Sequence, residues 1–548
     1  MKLFVFFLIL FVFGNQTFAQ QKKSPKLIVG IVVDQMCYEY LYRYYDKFGD
    51  DGFKKIMKKG TNCRNTNYNY LPTFTGPGHA SIYTGTTPNN NGIVANDWLD
   101  RNTGLEMNCV GDSSVNSVGT TSDEGQCSPI NLKANTITDN LKLTYPNAKV
   151  ISMSIKNRGA ILPGGHLSDG SYWYDYATGK FITSSFFKSQ LPNWVNSFNN
   201  EKQPEKYMQG EWNTLYPIET YTESGVDDSP YEHLLPGKLK PTFPYDLKNM
   251  SNTEGVTAAG LFPYTPFANT MLADFAIKSI DAEGLGLDDQ TDMLCISFST
   301  PDIIGHAFGP YSIEIEDTYL RLDKEIALLL QNLEKKVGKK DFVMFITADH
   351  AVVPVPQNLM DKGLPGGYVF LEEYMDNLSE KLISKYGEDL IFGEENLNIY
   401  LKQDLIKSLG LKPEAVNTFI ANEIKTWNGV KKVFTSEQLL VSGVDDEWTD
   451  MVRKGFHPAE SGDVIFILEP GFLPKSADSE TARKGTSHGS AYGYDTHVPL
   501  LWYGRGILKQ EIFRPINITD ITMTLTHMLY LQKPNATTGQ PILELLKK

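Results

Sequence analysis

Cysteine is scarce in this chain. There are five in 548 residues, and no two have the spacing of a metal knuckle. That excludes a disulfide-dense scaffold and a thiolate-held zinc module. Past residue 13, no apolar run reaches the roughly 18 residues that a membrane-spanning helix needs. An excess of positive charge is also missing. Lys and Arg number 51 against 65 Asp and Glu, a formal balance of −14. A polyanionic nucleic-acid partner would be repelled by such a chain, whereas a small anion is admissible if local cations hold it. Internal repeats and low-complexity tracts are absent. What remains is a globular composition, 41% hydrophobic and 21% charged, with 45 Gly and 29 Pro. The length fits two to four domain equivalents, or one large domain with insertions.

The N-terminus reads as an export signal over residues 1–19. Lys2 precedes the apolar run Leu3–Phe13, and Thr17-Phe18-Ala19 gives a small-x-small cleavage site. The mature chain, 20–548, is then periplasmic or secreted, and with no cysteine close behind the run it carries no lipid anchor. An oxidising compartment permits disulfides. Cys109 and Cys127 bracket a polar Gly/Ser/Thr-rich stretch and are the expected pair. Cys295, inside the apolar run Met293–Phe298, is expected to be a buried free thiol.

Three segments, Leu27–Val33, Asp292–Phe298 and Phe342–Thr347, are short, apolar and free of period-2 alternation. Strands of this kind are covered on both faces, as in a parallel sheet flanked by helices. Helical patterns lie between them, notably Thr270–Ala282 and Ser312–Lys336. The expected fold is α/β, a doubly wound, mostly parallel sheet flanked by helices. Insertions at about 160–265 and 355–480 read as cap segments, and the aromatic triplet Tyr172-Trp173-Tyr174 in the first is a candidate for leaving-group preference.

Each strand runs into an acidic residue, Asp34, Asp302 or Asp349. In open parallel sheets, sites form beyond the carboxyl ends of the strands. Asp302 and His306 are four apart, on one face if the chain is helical there. Asp349 and His350 are adjacent, so they can share an ion only where the strand gives way to a loop. His488 sits in the small-residue loop Gly485–Ser490. Mixed Asp and His ligands suit zinc, then manganese or iron. His79 is read as supporting a helix start.

Thr75-Gly76-Pro77-Gly78-His79 reads as the entry to a helix, with Pro in its first turn. A hydroxyl there is either a plain cap or a nucleophile beside the positive helix end, where phosphate is welcome. Ser154-Ile155-Lys156-Asn157-Arg158-Gly159 carries two cations one residue apart, which in extended chain face the same way.

Together these residues resemble the alkaline phosphatase superfamily, and within it the bacterial phosphatases with a Thr nucleophile and a Lys-x-Arg pair. The likeness runs from about Lys26 to Ile521, with Asp34, Thr75, Asn96, Lys156, Arg158, Asp302, His306, Asp349, His350 and His488 in the family's order. It implies two zinc ions, one held by Asp302, His306 and His488, the other by Asp34, Asp349 and His350, with Thr75 between them. It also implies phosphate monoester substrates, a phosphothreonine intermediate and net retention at phosphorus. Asn96, Lys156, Arg158 and the helix-start amides would hold the phosphoryl oxygens. The sulfatase motif begins with Cys or Ser and has Arg four residues on. Thr75 and His79 stand there, so that chemistry is not expected. The alternatives are a phosphodiesterase or nucleotide pyrophosphatase of the same superfamily, and a metal-stabilised binding protein without turnover. A monomer is expected.

Overall fold

The computed structural model describes residues 24–441, 443 and 446–546, so the expected export signal lies outside the described residues. The three apolar runs form the strands Leu27–Val33, Asp292–Phe298 and Phe342–Thr347. Every residue in them is buried, which is why none alternates with polar positions. They are the middle of an 11-stranded sheet. Its order is Gln510–Ile512, Thr61–Asn67, His497–Gly504, Phe342–Thr347, Leu27–Val33, Asp292–Phe298, Val150–Ser154, Gly170–Asp175, Lys180–Ser184 and Ser117–Val118, and Ile516–Asn517 also pairs with Thr61–Asn67. The five strands from Phe342–Thr347 to Gly170–Asp175 run parallel, and antiparallel pairs begin outside them. The sheet is therefore mostly parallel where the site forms and mixed at its edges.

The long helical patterns fold as Phe267–Glu283 and Ile313–Leu333. The second starts at Ser312, whose hydroxyl accepts from the Ile315 N–H at 3.2 Å and satisfies one of the donors left open at a helix start. Residues 355–480 hold a separate four-stranded sheet, Ile391–Glu395, Asn398–Leu401, Val464–Leu468 and Val430–Thr435, over its own apolar core of Leu378, Ile399, Ile420, Val464 and Phe466.

Three expectations are corrected. All five cysteines are free, including Cys109 and Cys127. The stretch between those two is held by other means: Cys127 bridges to Gly111 in the backbone, and the Ser128 hydroxyl donates to Asp112 at 2.5 Å. Tyr172, Trp173 and Tyr174 are at most 1% exposed, because they are part of the Gly170–Asp175 strand of the main sheet, and they wall no substrate entrance. Lys156 and Arg158 do not lie on one extended segment. Lys156 caps the helix Asn157–Gly164 and Arg158 sits in its first turn.

Candidate metal and catalytic centre

Sheet register levels the strand ends. Val33 lies opposite Phe298, Val32 opposite Thr347, and Ser297 opposite Ser154. The chain leaves four neighbouring strands at one height and delivers Asp34, Asp302, Asp349 and Lys156 to one spot, beyond the carboxyl ends. Asp302 and His306 lie on the helix Thr300–Phe308, with His306 Nε2 3.1 Å from Asp302 Oδ1. Asp349 and His350 lie in the loop after their strand, as the adjacent pair requires.

Two groups of donor atoms result, each within 4.8 Å: Asp302, His350 and His488, and Asp34, Asp349 and His350. His350 thus stands at the seam of both, with its ring stacked on His488 at 3.4 Å between centroids. His306, expected in the first group, lies outside both, although its Nε2 meets Asp302 Oδ1 at 3.1 Å. The three rings are held alike. Nδ1 of His306 meets the Thr486 carbonyl at 2.8 Å, that of His488 meets the Thr73 carbonyl at 2.7 Å, and that of His350 meets the Ala351 carbonyl at 3.0 Å. A carbonyl only accepts, so Nδ1 carries a proton in each ring, and when a ring is neutral its lone pair is on Nε2.

Those lone pairs face carboxylates. His488 Nε2 is 3.5 Å from Asp302 Oδ1, and His350 Nε2 is 3.4 Å from Asp34 Oδ1. Two electron-rich atoms so placed repel unless a cation joins them. Burial, with help from His350, drives the His488 pKa down to about 3, so a proton does not fill that role there. Asp34 Oδ1 and Asp349 Oδ2 are buried without a hydrogen-bond partner. The donor set therefore fits divalent metal ions. His79 is different. Its Nδ1 meets the Thr75 carbonyl and its Nε2 the Ser297 hydroxyl, both at 2.8 Å, so it braces the helix start and has no free nitrogen.

One ammonium is shared by two of the three aspartates. Lys156 Nζ lies 2.7 Å from Asp34 Oδ2 and 2.5 Å from Asp302 Oδ2. Burial opposes its charge, but Asp302 and Asp34 outweigh this and hold its pKa above the usual lysine range. Burial and Asp302 push the Asp34 pKa up, and Lys156 with His350 more than offset them, leaving it well below the carboxylate norm. Asp302 is lowered in the same way: burial is outweighed by His306 and Lys156. Asp349 has no such contact, and burial together with Asp34 drives it well above the norm.

Thr75 is the first residue of the helix Thr75–Thr84 and is 1% exposed. Its Oγ1 is 3.4 Å from His350 Nε2 and 3.5 Å from Lys156 Nζ. This close packing depends on Gly78, where a Cβ would fall 2.3 Å from the Asp349 carbonyl oxygen. Asn96 Oδ1 accepts from the Gly76 N–H at 2.7 Å, so that helix-start amide is already engaged and the free donor of Asn96 is its Nδ2. Arg158 Nε is buried and unpartnered. A cavity of about 320 Å³ opens at Asn96, His306 and His488, walled by Phe74, Trp448 and Tyr492.

Sequence reasoning missed Gln35. Its backbone N–H donates to Asp349 Oδ1 at 3.2 Å and its side-chain Nε2 to Asp302 Oδ1 at 2.6 Å. It is 2% exposed, with φ at +65°. A neutral amide beside a conspicuous Asp carries no pattern of its own, and its left-handed backbone leaves no mark in the sequence.

A largely buried set of Asp and His side chains at the carboxyl edge of a parallel sheet, with a helix-start threonine among them, is the arrangement of a metal-dependent phosphoryl-transfer hydrolase. Residues 28–491 match the family described as type I phosphodiesterase / nucleotide pyrophosphatase. Three curated relatives are each 40% identical. Alkaline phosphatase PafA of Elizabethkingia meningoseptica aligns over 95% of this chain and 94% of its own, and alkaline phosphatase PhoV of Synechococcus elongatus over 97% and 94%. A protein named calcium-transporting ATPase, from Myroides odoratus, aligns over 97% and 96%. The crystal structure of wild-type PafA superposes with a TM-score of 0.90 at 39% identity, covering 96% of this chain and 99% of that one. The chain belongs to the type I phosphodiesterase / nucleotide pyrophosphatase family and, at this identity and coverage, to its PafA-type alkaline phosphatases.

Proposed function

We propose that this protein is an exported, zinc-dependent phosphate monoesterase that works through a phosphothreonine at Thr75. The observation carrying this reading is the position of Thr75 Oγ1, which lies within 3.5 Å of both His350 Nε2 and Lys156 Nζ where the two Asp/His groups meet. Asp302, His306 and His488 would hold one zinc ion and Asp34, Asp349 and His350 the other. Bound there, the metal supplies Lewis acidity that makes the threonine hydroxyl acidic enough to attack and stabilises a leaving oxygen.

The chain's own groups do the rest. His79 fixes the Thr75 carbonyl and so the start of the helix. Thr75 Oγ1, its proton released to solvent, attacks phosphorus in line, and the P–O bond to the leaving group breaks as the new one forms, the leaving oxygen taking a proton from water. Lys156, Arg158 and Asn96 Nδ2 offer donors to the non-bridging oxygens, so stabilisation is mostly electrostatic. A monoester presents an oxygen that a diester has alkylated, and two cations at that position favour the dianion. Leu71, Phe74 and Trp448 border the cavity and leave room for a leaving group without fixing its identity. A terminal phosphoryl group of a nucleotide offers the same three oxygens, so the ATPase name of one relative is compatible with this chemistry. Water then cleaves the Thr75–phosphate bond, and two inversions give net retention.

The test compares an aryl phosphate with its methyl ester and follows the configuration of a chiral phosphate product. The monoester is expected to be the far better substrate, with retention. Inversion would exclude the two-step path. Thr75→Ala is expected to reduce kcat by at least 10³-fold, on the order of 4 kcal/mol, with zinc still bound.

A further inference from the structure

We infer that Gln35 is a positioning residue that sets the geometry of both metal-binding groups at once. It is the residue after Asp34, and it touches the two other aspartates through different atoms. Its backbone N–H donates to Asp349 Oδ1 and its side-chain amide to Asp302 Oδ1. Asp302 Oδ1 is the oxygen that faces His306 Nε2 and His488 Nε2. In Asp349, occupying Oδ1 leaves Oδ2, the unpartnered atom, to face the second group. Asp349 Oδ1 also accepts from the His350 N–H at 3.0 Å, so Gln35 orients the Asp302 carboxylate through its side chain and shares the orientation of Asp349 with His350.

The arrangement is maintained against two local penalties. Gln35 holds φ at +65°, a left-handed conformation that an L-residue with a long side chain adopts at a cost. The helix Thr300–Phe308 must also offer glycine opposite it, since a Cβ on Gly305 would fall 1.9 Å from Gln35 Oε1. Glycine within a helix is itself unfavourable. Both features are explained if the amide has to reach Asp302. Charge explains why an amide is used. Two of the three buried aspartates already share one ammonium, and a neutral donor orients carboxylates without competing with a dication as a second lysine would.

The inference rests on the reading of the two groups as metal sites, and the experiment separates the two ideas. Metal-free full-length protein is titrated with zinc against a chromogenic chelator, in parallel for wild type, Gln35→Gly and Gly305→Ala, and the melting temperature of each metal-free protein is recorded. Gln35→Gly removes the amide while relieving the backbone. It is expected to melt no lower than wild type yet bind zinc at least tenfold more weakly, with kcat falling more than KM rises. Gly305→Ala keeps the amide and displaces it, and is expected to weaken zinc in the same sense. If Gln35→Gly does not fold, Gly305→Ala decides alone. Zinc affinity within twofold of wild type in the folded variant overturns the role of Gln35. Failure of wild type itself to take zinc overturns the metal reading instead.

Discussion

Arg158 is the side chain whose environment most constrains its role. Its Nε is buried without a partner, and an N–H left so costs free energy unless something else meets it. A phosphoryl group on Thr75 would supply the missing acceptors, and a planar fork suits two of its oxygens better than a point charge does. Lys156 is committed to Asp34 and Asp302 but stays 3.5 Å from Thr75 Oγ1, close enough to serve the same group. Replacing Arg158 with Ala is therefore expected to lower kcat/KM for an aryl phosphate roughly a hundredfold, about 2–3 kcal/mol. Its methyl ester should lose about tenfold or less. Lys156→Ala should show the same bias with added loss of stability, since it leaves Asp34 and Asp302 facing each other without a cation. Steady-state kinetics on the two substrates tests both variants, and equal losses on monoester and diester would remove the discriminating role from the pair.

At the level of elements, two junctions hold the centre together. In the first, the Thr75–Thr84 helix abuts the end of the Phe342–Thr347 strand at Gly78. Gly78→Ala would press a methyl against the Asp349 carbonyl 2.3 Å away, and a cost of about 1–3 kcal/mol is expected, with activity falling because Thr75 or Asp349 must shift. Denaturant unfolding and turnover measured together would show it. In the second, the loop bearing His488 is fastened by Asp495, whose Oδ2 accepts from the Ser490 N–H at 2.8 Å while Oδ1 has no partner. Burial raises the Asp495 pKa to about 7. A carboxyl raised in the folded state contributes its stability below its unfolded pKa, near 4, and loses it as pH rises through 7. An amide keeps the Ser490 bond without ionising. Asp495→Asn is therefore expected to gain on wild type by about 2–3 kcal/mol between pH 5 and pH 9, at roughly 1.4 kcal/mol per unit over the titrating range. Unfolding at both pH values checks it, and a difference independent of pH would mean that Asp495 does not titrate with the fold.

Across the whole molecule, legibility in the sequence followed the length scale of the signal. The central strands were readable because burial on both faces forces continuous apolar runs, and the helix-borne Asp302/His306 spacing was readable because one helical turn fixes it. The bracing at His79 was readable from its place in the Thr75 turn. Features made only by contact between distant segments were not. These include the bridging of Asp302 and Asp349 by Gln35, the engagement of Gly76 by Asn96, and the position of His350 between two groups. The Tyr172–Tyr174 strand was misread because three aromatics look alike in a cap and in a sheet. The unpaired cysteines were misread because a polar loop can be tied by Asp112 and Ser128 as well as by sulfur. The centre draws on residues from Asp34 to His488, so whatever ties those side chains together also ties the chain. Chelation should leave three clustered aspartates with one lysine, which only two of them reach, and lower the thermal midpoint by several degrees, and zinc at 100 times its dissociation constant should restore about 2.7 kcal/mol. His488→Ala should shrink that zinc-dependent shift, while Thr75→Ala should leave it nearly whole. Calorimetry with and without chelator measures it, and a shift of equal size in His488→Ala would place the stabilising ion elsewhere.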